Sequence, residues 1–270
     1  MPEPVYGDGH SGTVRFVRQH GKESITLETS IHRQLKERYA VSAGATEVVM
    51  DGFRIDAIGR EGELIEIQHA SLAAMRRKTE QLLATESHRL RIVKPILAKK
   101  RVTTVQGKQR QVVRSRMSPL RGEVLDIFLE LVHFCTVFPR PRLVLDVVLV
   151  EAEELREDRR RPTRRGKKYR TVDQRLVDVV DHVELTTHQD LIDLLPIHAL
   201  PAPFDTAELA AALQRPRWFA QKVAYCLRTC GAAELAGKRR NSLLYAIPGL
   251  SAPAKRPARR RKKKPGTKAA

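Results

Sequence analysis

Residues 51–68 read DGFRIDAIGREGELIEIQ, and the fold turns on how this stretch is read. Two strand-like runs, 53–58 and 63–67, flank a turn bounded by Gly59 and Gly62. Alternation and isoleucine content predict a β-hairpin with a loop at the longer end of the usual range. If Ile58 pairs with Leu64, the register sets Asp56 directly across from Glu66. Cross-strand partners stand roughly 4.5–5.5 Å apart at Cβ on one face. Two carboxylates that close repel unless a cation neutralises them, and a hard divalent ion such as Mg²⁺ is the usual solution. A slip of one residue would send the two acids to opposite faces.

Upstream of the hairpin, Leu27, Ile31, Leu35 and Tyr39 recur at i+4 and predict a helix from Thr26. Glu28 and His32 form an adjoining stripe, with Glu28 in the first turn, where a carboxylate suits the helix dipole. Residues 46–50 read as a strand, closed by the tight-turn pair Asp51-Gly52. Downstream, residues 71–85 form a second amphipathic helix with Leu72, Met75, Thr79 and Leu82 inward, and 88–96 a strand ended by Pro95. The order αβββαβ implies an α/β core with a mixed sheet, because a crossover helix joins parallel strands.

Further along, residues 98–122 carry eight Lys/Arg and no acid, with β-like pieces at 101–105 and 111–113. An apolar helix is expected over 120–137 and a buried strand over 142–150. Residues 155–170, LREDRRRPTRRGKKYR, read as a basic loop or hairpin tip. Residues 187–247 form a separate module: helices at 190–195, 207–213 (N-cap Thr206) and 217–229, ended by Gly231, then a hairpin around 237–241. That order is a helix-turn-helix with a wing. Arg215, Arg217, Gln221, Lys222 and Arg228 on the longer helix, with Lys238, Arg239 and Arg240 on the wing, suit contacts to phosphates and base edges. The alternative is a winged helix used as a protein–protein or dimerisation domain.

Composition bounds the partner. The formal charge is +19; nine of those charges lie between Lys255 and Lys268, leaving +10 for the rest. A polyanion is expected, DNA first with RNA the other candidate, and no membrane, since no apolar run reaches the length of a span. Cys135, Cys226 and Cys230 give neither a disulfide framework nor a CxxC spacing. No secretory signal is evident, so the expected location is cytoplasmic, on the nucleoid if DNA-bound.

The order of elements and the spacing of the acids resemble the PD-(D/E)XK nuclease superfamily. Glu28 matches its helix acid, Asp56 its strand Asp, and Glu66-Ile67-Gln68 its D/E-x-K. The chain is also similar to a group of bacterial proteins that combine such a core with a winged helix. The resemblance implies a leader (1–23), a restriction-endonuclease-like domain (24–185) with basic insertions 98–122 and 155–170, a winged helix (187–248) and a disordered basic tail (249–270). It implies Mg²⁺ or Mn²⁺ on Asp56, Glu66 and the Ile67 carbonyl, with Glu28 in support, hydrolysis of DNA phosphodiesters, and a homodimer as the assembly. Gln68 departs from the family lysine: it can orient a water but supplies no charge. Lys78 on the next helix is the candidate replacement cation, ahead of Arg77, and His32 or His69 could act as a base. The alternative is a catalytically inactive DNA-binding or regulatory protein on a decayed core, and a third reading is an interaction scaffold.

Overall fold

The computed structural model describes residues 28–107, 109–159 and 168–249. The expected leader, the tail beyond Gly249 and the 160–167 tip of the basic segment lie outside the described residues. The chain divides into two units, Met1–Asp190 and Leu191–Ala270.

The first unit is an α/β fold on a mixed seven-stranded sheet ordered β1-β2-β3-β4-β6-β7, with β5 paired to β4. Strands β1 (Thr46–Met50), β2 (Phe53–Ile58) and β3 (Leu64–Ile67) form an antiparallel meander. Asp51 and Gly52 turn the first hairpin with φ of +50° and +76°, the pair of left-handed residues such a turn requires. Strand β3 lies parallel to β4 (Leu90–Gln106), and β4 parallel to β6 (Leu143–Asp158), which pairs antiparallel with β7 (Tyr169–Leu185).

Helix α1 (Ser30–Tyr39) covers one face: Ile31 and Leu35 are fully buried against Ala57, Ile65, Ile67, Val93 and Val148. It starts later than expected, at Ser30 behind the N-cap Thr29, so Glu28 precedes the helix instead of sitting in its first turn. The expected helix over 71–85 divides into a 3-10 turn (Leu72–Met75), started by the Ser71 side chain, and a short α2 (Arg76–Leu82). Its four expected inward residues are all buried. Lys78 of α2 reaches Glu66, and Glu130 of α3 (Ile127–Leu131) reaches Lys94. Both segments therefore lie on the face opposite α1, since Glu66 and Lys94 alternate with Ile67 and Val93.

Two expectations are corrected. Pro95 does not end β4, which runs on to Gln106. The Gln68 N–H donates to the Val93 carbonyl, so odd-numbered residues of β4 face β3, and at Pro95 β3 has already ended. The missing proline N–H therefore faces a side with no β3 partner. The helix over 120–137 shrinks to the 3-10 turn Val124–Asp126 and the five-residue α3, followed by turns that still bury Phe134 and Phe138. The basic stretch 98–122 carries strands where β-like pieces are expected: it holds the end of β4 and the strand β5 (Gln111–Met117), and Lys99 and Lys100 pair with Glu151 and Glu154 of β6.

The division between the units falls within α4 (His188–Asp193). Then follow α5 (Thr206–Leu213), α6 (Arg217–Thr229) and a hairpin of β8 (Glu234–Arg239) and β9 (Ser242–Ala246). Asp205, not Thr206, caps α5, accepting from the Ala207 and Glu208 N–H groups while Glu208 returns a carboxylate to the Asp205 N–H. The first hairpin strand is longer than expected and the turn shorter, centred on Arg240 and Asn241. Among the described residues no helix is long and apolar enough to cross a membrane.

Candidate active site

The β2–β3 pairing has Ile58 opposite Leu64 and Ala57 opposite Ile65, and there the ladder stops. The next residues in that register are Asp56 and Glu66. The strands part at this point, and the Ile67 N–H, which faces β2, would lose its acceptor. Asp56 supplies one: its Oδ2 accepts from the Ile67 N–H at 2.8 Å. The carboxylate thus holds the fork open.

The Ile67 carbonyl points into the same fork, and His32 of α1 fills it. His32 Nε2 stands 3.1 Å from the Ile67 oxygen and 3.3 Å from Asp56 Oδ2, while Nδ1 stands 2.6 Å from Glu28 Oε1. Carbonyl and carboxylate oxygens only accept, so this geometry favours a ring that carries hydrogen on both nitrogens. Burial pulls its pKa down, but the bonds to Asp56 and Glu28 outweigh that and raise it. Burial pushes the Asp56 carboxyl up, yet His32 and the Ile67 N–H hold it below the ordinary value. Glu28 follows the same pattern: burial pushes it up, and Lys36 and His32 more than reverse this. Lys36 Nζ lies 2.6 Å from Glu28 Oε1 and also pairs with Glu47.

Glu66 behaves differently. Burial raises its pKa, the Lys78 ammonium only partly reverses this, and the Asp56 charge adds to the rise. Lys78 Nζ lies 2.5 Å from Glu66 Oε1 and 2.6 Å from the Arg54 carbonyl, so the cation from α2 is seated on the second carboxylate. Gln68 is turned away, its amide donating to the Ser71 carbonyl at 2.8 Å. The loop after the motif is pinned from beneath: buried Lys94 donates to the carbonyls of His69 (3.2 Å) and Ala70 (2.6 Å), and Glu130 accepts from the Leu72 N–H (3.1 Å). Burial and the nearby charges of His32 and Lys94 drop His69 to about 4, so it is neutral at pH 7.

A cavity of about 510 Å³ opens over Asp56, Ile67, Gln68 and His69. A larger one, about 830 Å³, lies at the other end of the short strand β3, among Arg60, Arg89, Arg140, Arg142 and His188. The chemistry that the register sets up belongs to the smaller cavity. Asp56 Oδ2 and the Ile67 carbonyl converge on one point already held by His32, and both are hard oxygen donors. Such a donor set fits Mg²⁺ or Mn²⁺; Glu66 is not among the residues lining this cavity, and its carboxylate is held by Lys78. Glu28 is one step removed, bound through His32 and Lys36.

Nothing in the sequence alone places His32 between Asp56 and Ile67, and sequence reasoning misses Lys36 and Lys94. For Lys36 a signal is present, since Glu28, His32 and Lys36 recur at i+4. Lys94 sits in an apolar strand and is recognisable only once its carbonyl partners are placed.

In the second unit, Trp218, Gln221, Tyr225 and Arg228 form an exposed stripe on α6, with Lys222 over the Trp218 ring at 5.7 Å. Arg217 Nε lies 3.3 Å from Thr206 Oγ1, and Arg215 stacks on Phe219 at 5.1 Å. Arg239 is committed within the unit, its guanidinium 2.7 Å from both Asp205 and Glu208. Lys238 and Arg240 stand on exposed positions of the hairpin.

Comparison with known proteins adds kinship. The family described as "Domain of unknown function (DUF8091)" matches residues 29–186, which contain the whole sheet of the first unit. A protein of Treponema pallidum (strain Nichols), named "Uncharacterized protein", is 28% identical over 185 residues, covering 68% of this chain and 71% of that protein. No solved structure matches the chain.

Proposed function

We propose that this chain, which belongs to the DUF8091 family, is a metal-dependent endonuclease that hydrolyses DNA phosphodiesters and docks on the duplex through a C-terminal winged helix. One observation carries the reading. The β2–β3 fork sets Asp56, Glu66 and the Ile67 carbonyl about one strand-end, and α2 delivers the Lys78 ammonium to that group at 2.5 Å from Glu66. Asp56, Glu66 and the Ile67 carbonyl would hold the ion. When bound, Mg²⁺ or Mn²⁺ supplies Lewis-acid polarisation of the phosphate and a more acidic water. Lys78 contributes the fixed positive charge that Gln68 lacks, next to where charge develops in the transition state. His32 orients Asp56 and the Ile67 carbonyl, and Lys94 fixes the loop over the cavity.

The second reading, a non-catalytic DNA-binding protein, is favoured by one specific feature. Asp56, Glu28 and Glu66 are each already matched by an internal basic side chain, so the site is balanced without an ion.

Nicking of supercoiled plasmid with Mg²⁺ or Mn²⁺ separates the two. The nuclease reading expects cleavage by the wild type and loss of about 10²-fold or more in Asp56→Ala and in Glu66→Ala. Equal behaviour of wild type and both variants overturns it. Salt-sensitive duplex binding retained in that event selects the second reading.

A further inference from the structure

On the α1 face of the sheet, two strands from the fork, a second group of potential ligands comes together. Asp146 of β6 pairs in register with Glu184 of β7, and His182 lies two residues before Glu184, so all three side chains rise on one face. One ligand atom from each lies within 4.8 Å of the others, the one such group of three among the described residues. Alone this would be an acidic cluster, but Asp146 adds an independent observation. It is only 1% exposed, and its Oδ1 is buried with no hydrogen-bond partner. Oδ2 is fully used, by the Tyr39 hydroxyl at 2.7 Å and Arg91 at 3.2 Å. A carboxylate oxygen sealed from water without a donor is costly, and proteins rarely leave one so.

We propose that Asp146, His182 and Glu184 form a binding site for a divalent transition metal of the zinc class. The distances favour an ion over a hydrogen bond. Asp146 Oδ1 and His182 Nδ1 are 3.5 Å apart, at the limit of hydrogen bonding. Two ligands each about 2.1 Å from a tetrahedral zinc ion stand about 3.4 Å apart. An imidazole nitrogen in the donor set selects zinc or a neighbouring transition ion over Mg²⁺ or Ca²⁺. His182 and Glu184 are solvent-accessible and border a cavity of about 380 Å³, which gives the ion a route in and room for a water as fourth ligand. The ion would tie the edge strand β7 to β6 and, through Tyr39, to the end of α1. The proposal is independent of the nuclease reading, since it shares no ligand with the Asp56–Glu66 fork.

The test is Zn²⁺ binding by the full-length chain after chelator treatment and dialysis, by isothermal titration with metal analysis of the product. The comparison is among wild type, His182→Ala, Glu184→Gln and the Asp56→Ala/Glu66→Ala double variant. The expected result is one more equivalent in wild type than in His182→Ala. Glu184→Gln should bind at least tenfold more weakly, and the double variant should keep that equivalent. Thermal melts of the metal-free proteins should coincide for wild type and His182→Ala, because the ring is largely exposed. Adding Zn²⁺ should raise the melting temperature of wild type but not of His182→Ala. Equal stoichiometry and affinity in wild type and His182→Ala, or loss of the equivalent in the double variant only, overturns the proposal.

Discussion

Lys78 and Gln68 show how one charge can be supplied from two places in a chain. Position 68 is the strand residue expected to carry a cation, and its neutral amide is spent on the Ser71 carbonyl. Position 78 lies on the segment that crosses from β3 to β4, and its ammonium reaches back to the carboxylate two residues before Gln68. Under the nuclease reading the two substitutions therefore differ in weight. Lys78→Met is expected to slow plasmid nicking by about 10²–10³-fold, while Gln68→Ala costs far less, since its amide faces a loop carbonyl. Gln68→Lys in the Lys78→Met background should recover part of the rate by restoring charge. Nicking rates with Mg²⁺ at about pH 7.5, set beside thermal melts to register any loss of fold, check the ordering. A Lys78→Met protein that is folded and as active as wild type would remove Lys78 from the site.

At the level of elements, α1 shows how the helix beside the candidate site is fixed from both ends. Its Tyr39 hydroxyl is tied to Asp146 of β6. Its first residue, Ser30, donates through N–H (2.9 Å) and hydroxyl (2.7 Å) to Asp173 of β7. The helix lacks a side-chain bond from its own N-cap, and Asp173 serves that end from 143 residues away. Burial pushes the Asp173 carboxyl up, but the two Ser30 bonds and the Gln174 N–H bring it below the ordinary value. A carboxyl whose pKa is lower folded than unfolded binds more protons when unfolded. Its stabilisation is fully present above the unfolded pKa of about 3.9 and fades as pH falls through the folded one. Asp173→Asn is therefore expected to cost about 1 kcal/mol at pH 7, with the gap to wild type closing below about pH 4. Urea unfolding from about pH 7 to about pH 3 measures this, and a gap that stays constant with pH would refute the charge-based account. Asp173 also marks where the sequence is least legible. Strands β1 and β2 and helix α6 fall at their expected limits because strong local signals coincide there: β-branched alternation, an Asp-Gly turn, an apolar stripe closed by Gly231 (φ +80°). Strand β7 carries no such signal: Tyr169–Leu185 is a charged edge strand whose position comes from pairing with β6 rather than from its own pattern. The Ile58–Leu64 register is readable because a hairpin is local, although the ladder ends one pair later, at Ala57 and Ile65. The His32 bridge and the Asp146 network are not, since each joins elements distant in the chain.

For the molecule as a whole the question is where the excess positive charge acts. Pairing within the fold consumes part of it: Lys99 and Lys100 face β6 carboxylates, Arg91 sits among three acids, and Arg239 closes on Asp205 and Glu208. Arg239 thus stitches the hairpin to the capping box of α5, while Lys238 and Arg240 beside it stay on exposed positions. If the second unit docks on DNA, these neighbours should respond differently to removal. Lys238→Ala and Arg240→Ala should leave the melting temperature unchanged and weaken duplex binding, each lowering the slope of log K against log salt by about 0.9 for every phosphate it had neutralised. Arg239→Ala should lower the melting temperature, because Asp205 and Glu208 lose their shared partner at the helix start. Alanine at Gln221 or Arg228, on the exposed stripe of α6, should weaken binding without affecting the melt. Fluorescence anisotropy with a labelled duplex between about 50 and 200 mM salt covers the range where phosphate-driven binding falls steeply. Binding that does not vary with salt, or that survives unchanged in the Lys238→Ala/Arg240→Ala double variant, would take the hairpin out of the DNA interface. The charge of +19 would then have to act elsewhere in the chain.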